Sequence, residues 1–285
     1  MKKILILAVK GGTGKSTVTA GLAQALKTMG LRVGLMDLDL SGANLPMAIG
    51  MLEPLPHAPI DIEKEKMLAV QYDGFEIFSL AFRFGSAALL WGGSEQTIKA
   101  FGKEFHLRGT GRYQLVKQML ENVQFGDLDY LLVDNPPSTG DEVLSLYENM
   151  PDIYGCILVS QPTNLAVEDM ERALDMVESK ELPLIGMVGN MVSALCPSCG
   201  HEYYPFAVPG VDLELFCRRR MVPYLLSIPM TPETGVLQER FAQLAEIVIN
   251  QQPVHIWEKA FKDRLENAIV KGAMKAVIKG IGERS

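Results

Sequence analysis

The chain has 285 residues, 48% of them hydrophobic and 21% charged, with 27 Lys and Arg against 34 Asp and Glu for a net charge of −7. These are ordinary globular proportions: a full core can be buried, wholesale disorder is excluded, and the acidic balance argues against a protein built to coat nucleic acid. The four cysteines are too few for a disulfide scaffold in a chain of this length, and read as thiols or metal ligands in a reducing compartment.

In chain order, Ile4 to Ala8 is continuously apolar, the pattern of a strand buried on both faces in the middle of a parallel sheet. It is far shorter than the roughly 18 residues of a membrane span. Lys2 and Lys3 before it superficially suggest a signal peptide, but a glycine-rich loop occupies the place of the cleavage region, so a cytoplasmic protein is expected. That loop, Lys10-Gly11-Gly12-Thr13-Gly14-Lys15-Ser16-Thr17, fits the phosphate-loop pattern G-x-x-x-x-G-K-[ST] except that Lys10 stands in place of the first glycine. A strand, a glycine-rich turn and a helix in that order aim backbone N–H groups and a helix N-terminus at one spot, where a polyphosphate can sit. Gly11, Gly12 and Gly14, with Thr13 among them, form the cradle. Lys15 is expected at the β- and γ-phosphates of ATP, Ser16 on a Mg²⁺ ion that bridges them, and Thr17 at the α-phosphate.

Helical spacing of Val18, Leu22, Ala25, Leu26 and Met29, with Gly30 after it, predicts a helix from Lys15. Val33 to Asp37 is the next strand, which makes residues 3–37 a βαβ unit. It delivers Asp37 and Asp39 to the edge where the phosphates belong, and either carboxylate suits water-mediated Mg²⁺ binding or orientation of the attacking water. The charge-rich piece Asp61 to Lys66 reads as a solvated connection or a short edge element, and Phe75 to Leu80 as a strand. Arg83 to Ser94, glycine-rich yet apolar around Trp91, reads as a mobile cover or interface segment. Tyr113 to Val123 has amphipathic helical spacing. Tyr130 to Asp134 is an apolar strand ending in aspartate, with Asp134 placed to hold water on Mg²⁺. Gly155 to Ser160 is a core strand with Cys156 as a small buried hydrophobe, and a helix follows over about Leu165 to Glu178. Leu184 to Val188 is another parallel strand, ending at Gly189-Asn190-Met191.

Cys196-Pro197-Ser198-Cys199-Gly200-His201 is a two-thiol claw for zinc or an iron–sulfur cluster. No second C-x-x-C occurs, so three outcomes compete: a pair from each subunit of a two-fold dimer, an intrachain site recruiting His201 or Cys217, or no metal. Cys217 falls in a helix over Leu213 to Arg220. After a strand over Tyr224 to Ile228 come helices over Thr234 to Ile249 and Trp257 to Ile281. The latter sets Lys271, Lys275 and Lys279 opposite Ile269, Ala273, Val277 and Ile281, as in either a basic amphipathic tail or a packed terminal helix with a solvated face.

The K-G-G-x-G-K-[ST] loop resembles the deviant Walker A of MinD/ParA-class dimeric ATPases. The resemblance implies that Lys10 crosses a nucleotide-sandwich dimer to the phosphates of the other subunit. More specifically, Asp37 to Pro46 resembles the D-x-D-x-x-G-P-S-x-P segment of the Mrp/ApbC branch, with Ala43 and Asn44 in place of proline and serine. Asp134 to Glu142 resembles its D-x-P-P-G-T-G-D-E switch with Ser138 for one glycine, and Trp91-Gly92-Gly93 keeps part of its W-R-G-P. By resemblance Asp39 positions the attacking water, while Asn190 hydrogen-bonds adenine with the Ile228-Pro229 region on its other side. A helix or turn cap is the alternative for Asn190. The absent N-K-x-D signature favours ATP over GTP. The family carries its cysteine pair as C-P-x-C-G and bridges a four-iron four-sulfur (4Fe–4S) cluster across the dimer.

The expectation is therefore an α/β P-loop NTPase: one domain over 1–285 with a twisted, mostly parallel sheet, helices on both faces and a C-terminal helix from about 255. Its expected function is that of a homodimeric Mg-ATP-dependent carrier that passes a cluster on Cys196 and Cys199 to apo-proteins. The alternatives are a MinD/ParA-like positioning ATPase acting on a membrane or partner, and an ATP switch with structural zinc.

Overall fold

A computed structural model describes residues 1–39, 44–52, 55–61, 66–79, 81–84, 97–100, 103–106, 110–136, 150–163 and 165–256. The expectations for Trp91 to Gly93, for Ser138 to Glu142 and for the helix bearing Lys271, Lys275 and Lys279 lie outside these residues.

The described strands are β1 (Lys2–Leu7), β2 (Val33–Asp37), β3 (Ile60–Asp61), β4 (Lys66–Leu68), β5 (Val70–Tyr72), β6 (Phe75–Ser79), β7 (Thr97–Ala100) and β8 (Lys103–His106), then β9 (Val123–Gln124), β10 (Tyr130–Asp134), β11 (Ile153–Ser160), β12 (Leu184–Leu195), β13 (Glu202–Tyr203) and β14 (Tyr224–Met230). The described helices are α1 (Lys15–Thr28), α2 (Leu45–Ala48), α3 (Ala81–Phe84), α4 (Thr110–Asn122), α5 (Ala166–Ser179), α6 (Leu213–Arg220) and α7 (Thr234–Asn250).

The main sheet runs β13-β12-β11-β1-β10-β2-β6-β5, with β14 also paired to β12. Its pairs are parallel except for β13 on β12 and β5 on β6. Along β1, Leu5 and Leu7 join one apolar cluster while Ile4 and Ile6 join the other. Both faces are thus buried, which is why the strand reads as an unbroken apolar run and takes the sheet's middle. Leu22 and Leu26 of α1 and Leu244 and Val248 of α7 cover one face. Met170, Leu174 and Val177 of α5 lie in the cluster on the other.

β1 and β2 belong to one βαβ unit, yet they are not neighbours: β10 lies between them and pairs with both. The register sets Ile6 beside Asp134 and Asp134 beside Asp37, so two chain-distant carboxylates reach the same sheet edge. At the opposite edge Arg32 clips the start of β2 to the turn before β10. Its backbone N and its guanidinium both donate to Asp129, at 2.9 Å, and the guanidinium holds that carboxyl down to about 2.

Several expected boundaries move. The strand expected to stop at Gly189 to Met191 runs on to Leu195, because β13 pairs antiparallel with Ala194 and Leu195 and a register irregularity lies between Asn190 and Ala194. The helix expected from Tyr113 starts at Thr110. The ends of the Asp61 to Lys66 segment enter a small three-stranded sheet, β3-β4-β9, which takes the short-element reading over the solvated connection.

Candidate ATP site and cysteine claw

The loop between β1 and α1 opens on a cleft of ≈ 410 Å³ lined by Lys10 through Thr17, Asp39, Asn44 and Ala48. Gly14 caps α1 in the left-handed conformation, at φ 79°, where a side chain is strained. A Cβ there would also collide with the Asn190 amide.

Asp134 is the hub behind the loop. Fully buried at the end of β10, it accepts from Lys15 Nζ at 2.6 Å and Thr19 Oγ1 at 3.2 Å on Oδ1, and from Ser16 Oγ at 2.6 Å on Oδ2. The lysine and hydroxyl expected on phosphates and metal are therefore satisfied by the expected metal-side carboxylate, which keeps a buried charge paired. Asp37 lies one strand away, also buried. It accepts from the Asp39 backbone N–H at 3.0 Å, Ser79 Oγ at 3.3 Å and Leu45 N at 3.4 Å. Burial, with the Asp134 charge second, raises its carboxyl well above the usual range. Asp39 is half-buried and faces the cleft, and Lys10 is exposed on its rim. Serine and aspartate oxygens of this kind suit Mg²⁺, which takes one or two protein ligands and leaves its other positions to phosphates and water. Asn135, next to Asp134, donates Nδ2 to the Ile6 carbonyl at 3.1 Å, while its buried Oδ1 has no hydrogen-bond partner among the described residues.

Asn190 is buried on β12, and its Nδ2 donates to the Thr13 carbonyl at 2.8 Å. That contact orients the amide, because the flipped form would set two carbonyl oxygens against each other. Three residues that touch this machinery are not evident in the sequence: Thr19, Ser79 and Gln161. The available signals are a hydroxyl one turn after the phosphate-loop serine, and polar residues closing the carboxyl ends of core strands.

The cysteine claw stands apart from this cleft, at the far end of β12. Cys196 is half-buried and Cys199 exposed. The knuckle is closed by Gly200 N–H on the Cys196 carbonyl at 2.8 Å and Cys196 N–H on the His201 carbonyl at 2.9 Å. N–H groups of Ser198 and then Cys199, followed by the Cys199 thiol, hold the Cys196 thiol below its ordinary range, as a metal-binding or nucleophilic sulfur requires. Cys217 does not join it. It is wholly buried on α6 with Sγ 3.5 Å from Met187 Sδ, and burial pushes its thiol up to about 12. Cys156 is buried in β11 as expected. Among the described residues no group of three or more His, Cys, Asp or Glu side chains is arranged to hold a metal ion, and no helix is long and apolar enough to cross a membrane.

Comparison with known proteins matches residues 1–268 to the ParA family model described as NUBPL iron-transfer P-loop NTPase. The chain is 37% identical over 200 residues to an iron-sulfur cluster carrier protein of Methanocaldococcus jannaschii, covering 69% of this chain and 62% of that one, so it spans less than two thirds of that relative's length. It is 32% identical over 238 residues to a cytosolic Fe-S cluster assembly factor NUBP2 homolog of Trichoplax adhaerens, with 81% of each chain covered. Among solved structures it superposes on a nucleotide-binding protein from Archaeoglobus fulgidus in complex with ADP, at TM-score 0.60 and 26% identity over 86% of this chain and 88% of that one. With the loop, the Asp134 hub and the parallel sheet on which they sit, these matches place the chain in the ParA family of deviant Walker A P-loop NTPases, related to iron–sulfur assembly factors, and its fold and family are those of an ATP-hydrolysing enzyme.

Proposed function

We propose that the chain is a homodimeric, Mg-ATP-dependent carrier that holds an iron–sulfur cluster between the Cys196 and Cys199 pairs of two copies and passes it to apo-proteins in the cytoplasm. The observation that carries this reading is the claw itself: two accessible thiols, one of them acidified, with no third ligand gathered around them among the described residues. Two thiolates are half of a four-ligand site, and a two-fold axis supplies the other half. The burial of Cys217 counts against an intrachain completion through that residue. Exposed Tyr203, Tyr204 and Phe206 beside the claw offer apolar surface for a facing copy. The printed names of the relatives, a cluster carrier and a cytosolic assembly factor, support the cargo and the compartment.

At the phosphate loop, the chain's own residues divide the ATPase work. Lys15 would leave Asp134 for the β- and γ-phosphates, and Ser16, Asp134 and Asp37 are the residues that would hold Mg²⁺. Bound Mg²⁺ supplies charge neutralisation across the phosphates. Gly11, Gly12, Thr13 and Gly14 present N–H groups, and Thr17 meets the α-phosphate. Asp39 orients the attacking water, and Lys10 reaches the phosphates of the partner subunit. With one Nδ2 hydrogen of Asn190 on the Thr13 carbonyl, its Oδ1 is the amide's acceptor for a base, and the 6-amino group of adenine is a donor that suits it.

The test is iron, sulfide and zinc per chain against oligomeric mass after anaerobic reconstitution. About one four-iron cluster per dimer is expected, lost in both Cys196→Ser and Cys199→Ser while ATP affinity stays within about twofold, since the claw shares no ligand with the phosphate loop. One zinc per monomer would instead make the claw a structural zinc site.

A further inference from the structure

Gly12 and Gly14 flank Thr13 with φ of +82° and +79°. Glycine enters and leaves this region at little cost, so the loop sequence alone leaves open which way its peptide groups face. Two side-chain amides, one just past the end of β11 and one within β12, hold it. Gln161, directly after β11, donates Nε2–H to the Gly12 carbonyl at 3.0 Å, and Asn190 on β12 donates to the Thr13 carbonyl at 2.8 Å. In a planar trans peptide the carbonyl and the following N–H point in opposite directions. Drawing the Gly12 carbonyl toward β11 therefore turns the Thr13 N–H away from it, and drawing the Thr13 carbonyl toward β12 does the same for the Gly14 N–H. Gln161 is itself anchored, since Nε2 also lies 3.0 Å from Met191 Sδ. Met191 holds a left-handed φ of 54°, a conformation that side-chain-bearing residues rarely adopt.

We propose that Gln161 is a positioning residue of the ATP site: by holding the Gly12 carbonyl it fixes the Gly12–Thr13 peptide with the Thr13 N–H turned to the bound phosphates. Gln161 acts through the loop and does not touch the nucleotide. What the position requires is an N–H donor of this reach, not a charge. A preformed N–H contact serves bound substrate and transition state alike, so losing it raises KM and leaves kcat nearly unchanged.

The proposal rests on ATP binding at this loop, which Lys15→Ala tests separately; ATP affinity lost there but unaffected at position 161 sinks only the present proposal. The variants are Gln161→Met, of similar length without a donor, Gln161→Glu, which sets an acceptor against the carbonyl, and Gln161→His, which keeps a ring N–H at comparable reach. Steady-state kinetics, equilibrium ATP and ADP binding and nucleotide-free melting are measured on each. Gln161→Met is expected to raise KM and the ATP and ADP dissociation constants roughly tenfold with kcat within about twofold, the size of one hydrogen bond. Gln161→Glu loses more, Gln161→His stays near the parent, and nucleotide-free melting is unchanged in all three. A KM for Gln161→Met within twofold of the parent overturns the proposal. So does a Gln161→Met chain that fails to fold, or one that loses melting temperature with KM unchanged, either of which makes the residue a structural support.

Discussion

Asp134 accepts hydrogen bonds from Lys15, Ser16 and Thr19, so the nucleotide binding proposed for this site is an exchange of partners. Lys15 and Asp134 are both buried, and separating such a pair without a substitute is costly, whereas phosphate for the lysine and Mg²⁺ for the carboxylate would keep both charges satisfied. Asp39 stands differently. It is half-buried on the cleft wall, where a carboxylate can meet a water without meeting the phosphates. Asp39→Ala is therefore expected to retain ATP affinity within about threefold while kcat falls by roughly 10² or more, the range of general-base and water-positioning groups. Single-turnover hydrolysis beside equilibrium ATP binding measures both. Parent-like hydrolysis would move the water-positioning role to another residue, with Asp141 the first to try.

Among elements, α1 and α7 lie against each other on one face of the sheet, with Gly21 of α1 under the ring of Phe241. A Cβ at Gly21 would overlap that ring. Gly21→Ala gains about 1 kcal/mol of helix propensity, but overpacking of a core contact costs about 1–3 kcal/mol. The net expectation is a loss of about 1 kcal/mol in urea unfolding, with ATP turnover unchanged because Gly21 does not line the cleft. A stabilised variant would show that Phe241 can swing away freely. β12 does more than cross the sheet. It touches the phosphate loop through Asn190 and delivers Cys196 six residues later, no more than roughly 20 Å further on at about 3.3 Å per residue.

For the whole molecule, the proposed trans role of Lys10 makes activity a property of pairs. Lys15→Ala is expected to abolish Mg-ATP binding, whereas Lys10→Ala keeps binding and loses most hydrolysis, as removal of an arginine finger does. Mixing the two inactive variants then restores turnover: in a mixed dimer, the Lys10→Ala subunit binds ATP through its own Lys15 and receives Lys10 from the partner. An equal mixture should recover about a quarter of the parent rate per chain, since about half the dimers are mixed and each has one competent site. No recovery, or parent-like hydrolysis by Lys10→Ala alone, would place Lys10 outside the reaction.

What the sequence determined by itself is local: a buried central strand from an unbroken apolar run, a phosphate loop from glycine, lysine and hydroxyl spacing, and a two-thiol claw from C-x-x-C. Each depends on residues within about ten positions of one another, where chain geometry fixes what can meet what. The tertiary structure decided what long-range pairing decides. β10 inserts between β1 and β2 and puts Asp134 level with Asp37, β12 runs on past Asn190 because β13 pairs with its end, and Cys217 faces the core and not the claw. Gln161 is the clearest such case. One polar residue after a strand carries no periodic signal, and it meets Gly12, 149 positions earlier, only because β11 lies beside the strand that feeds the loop.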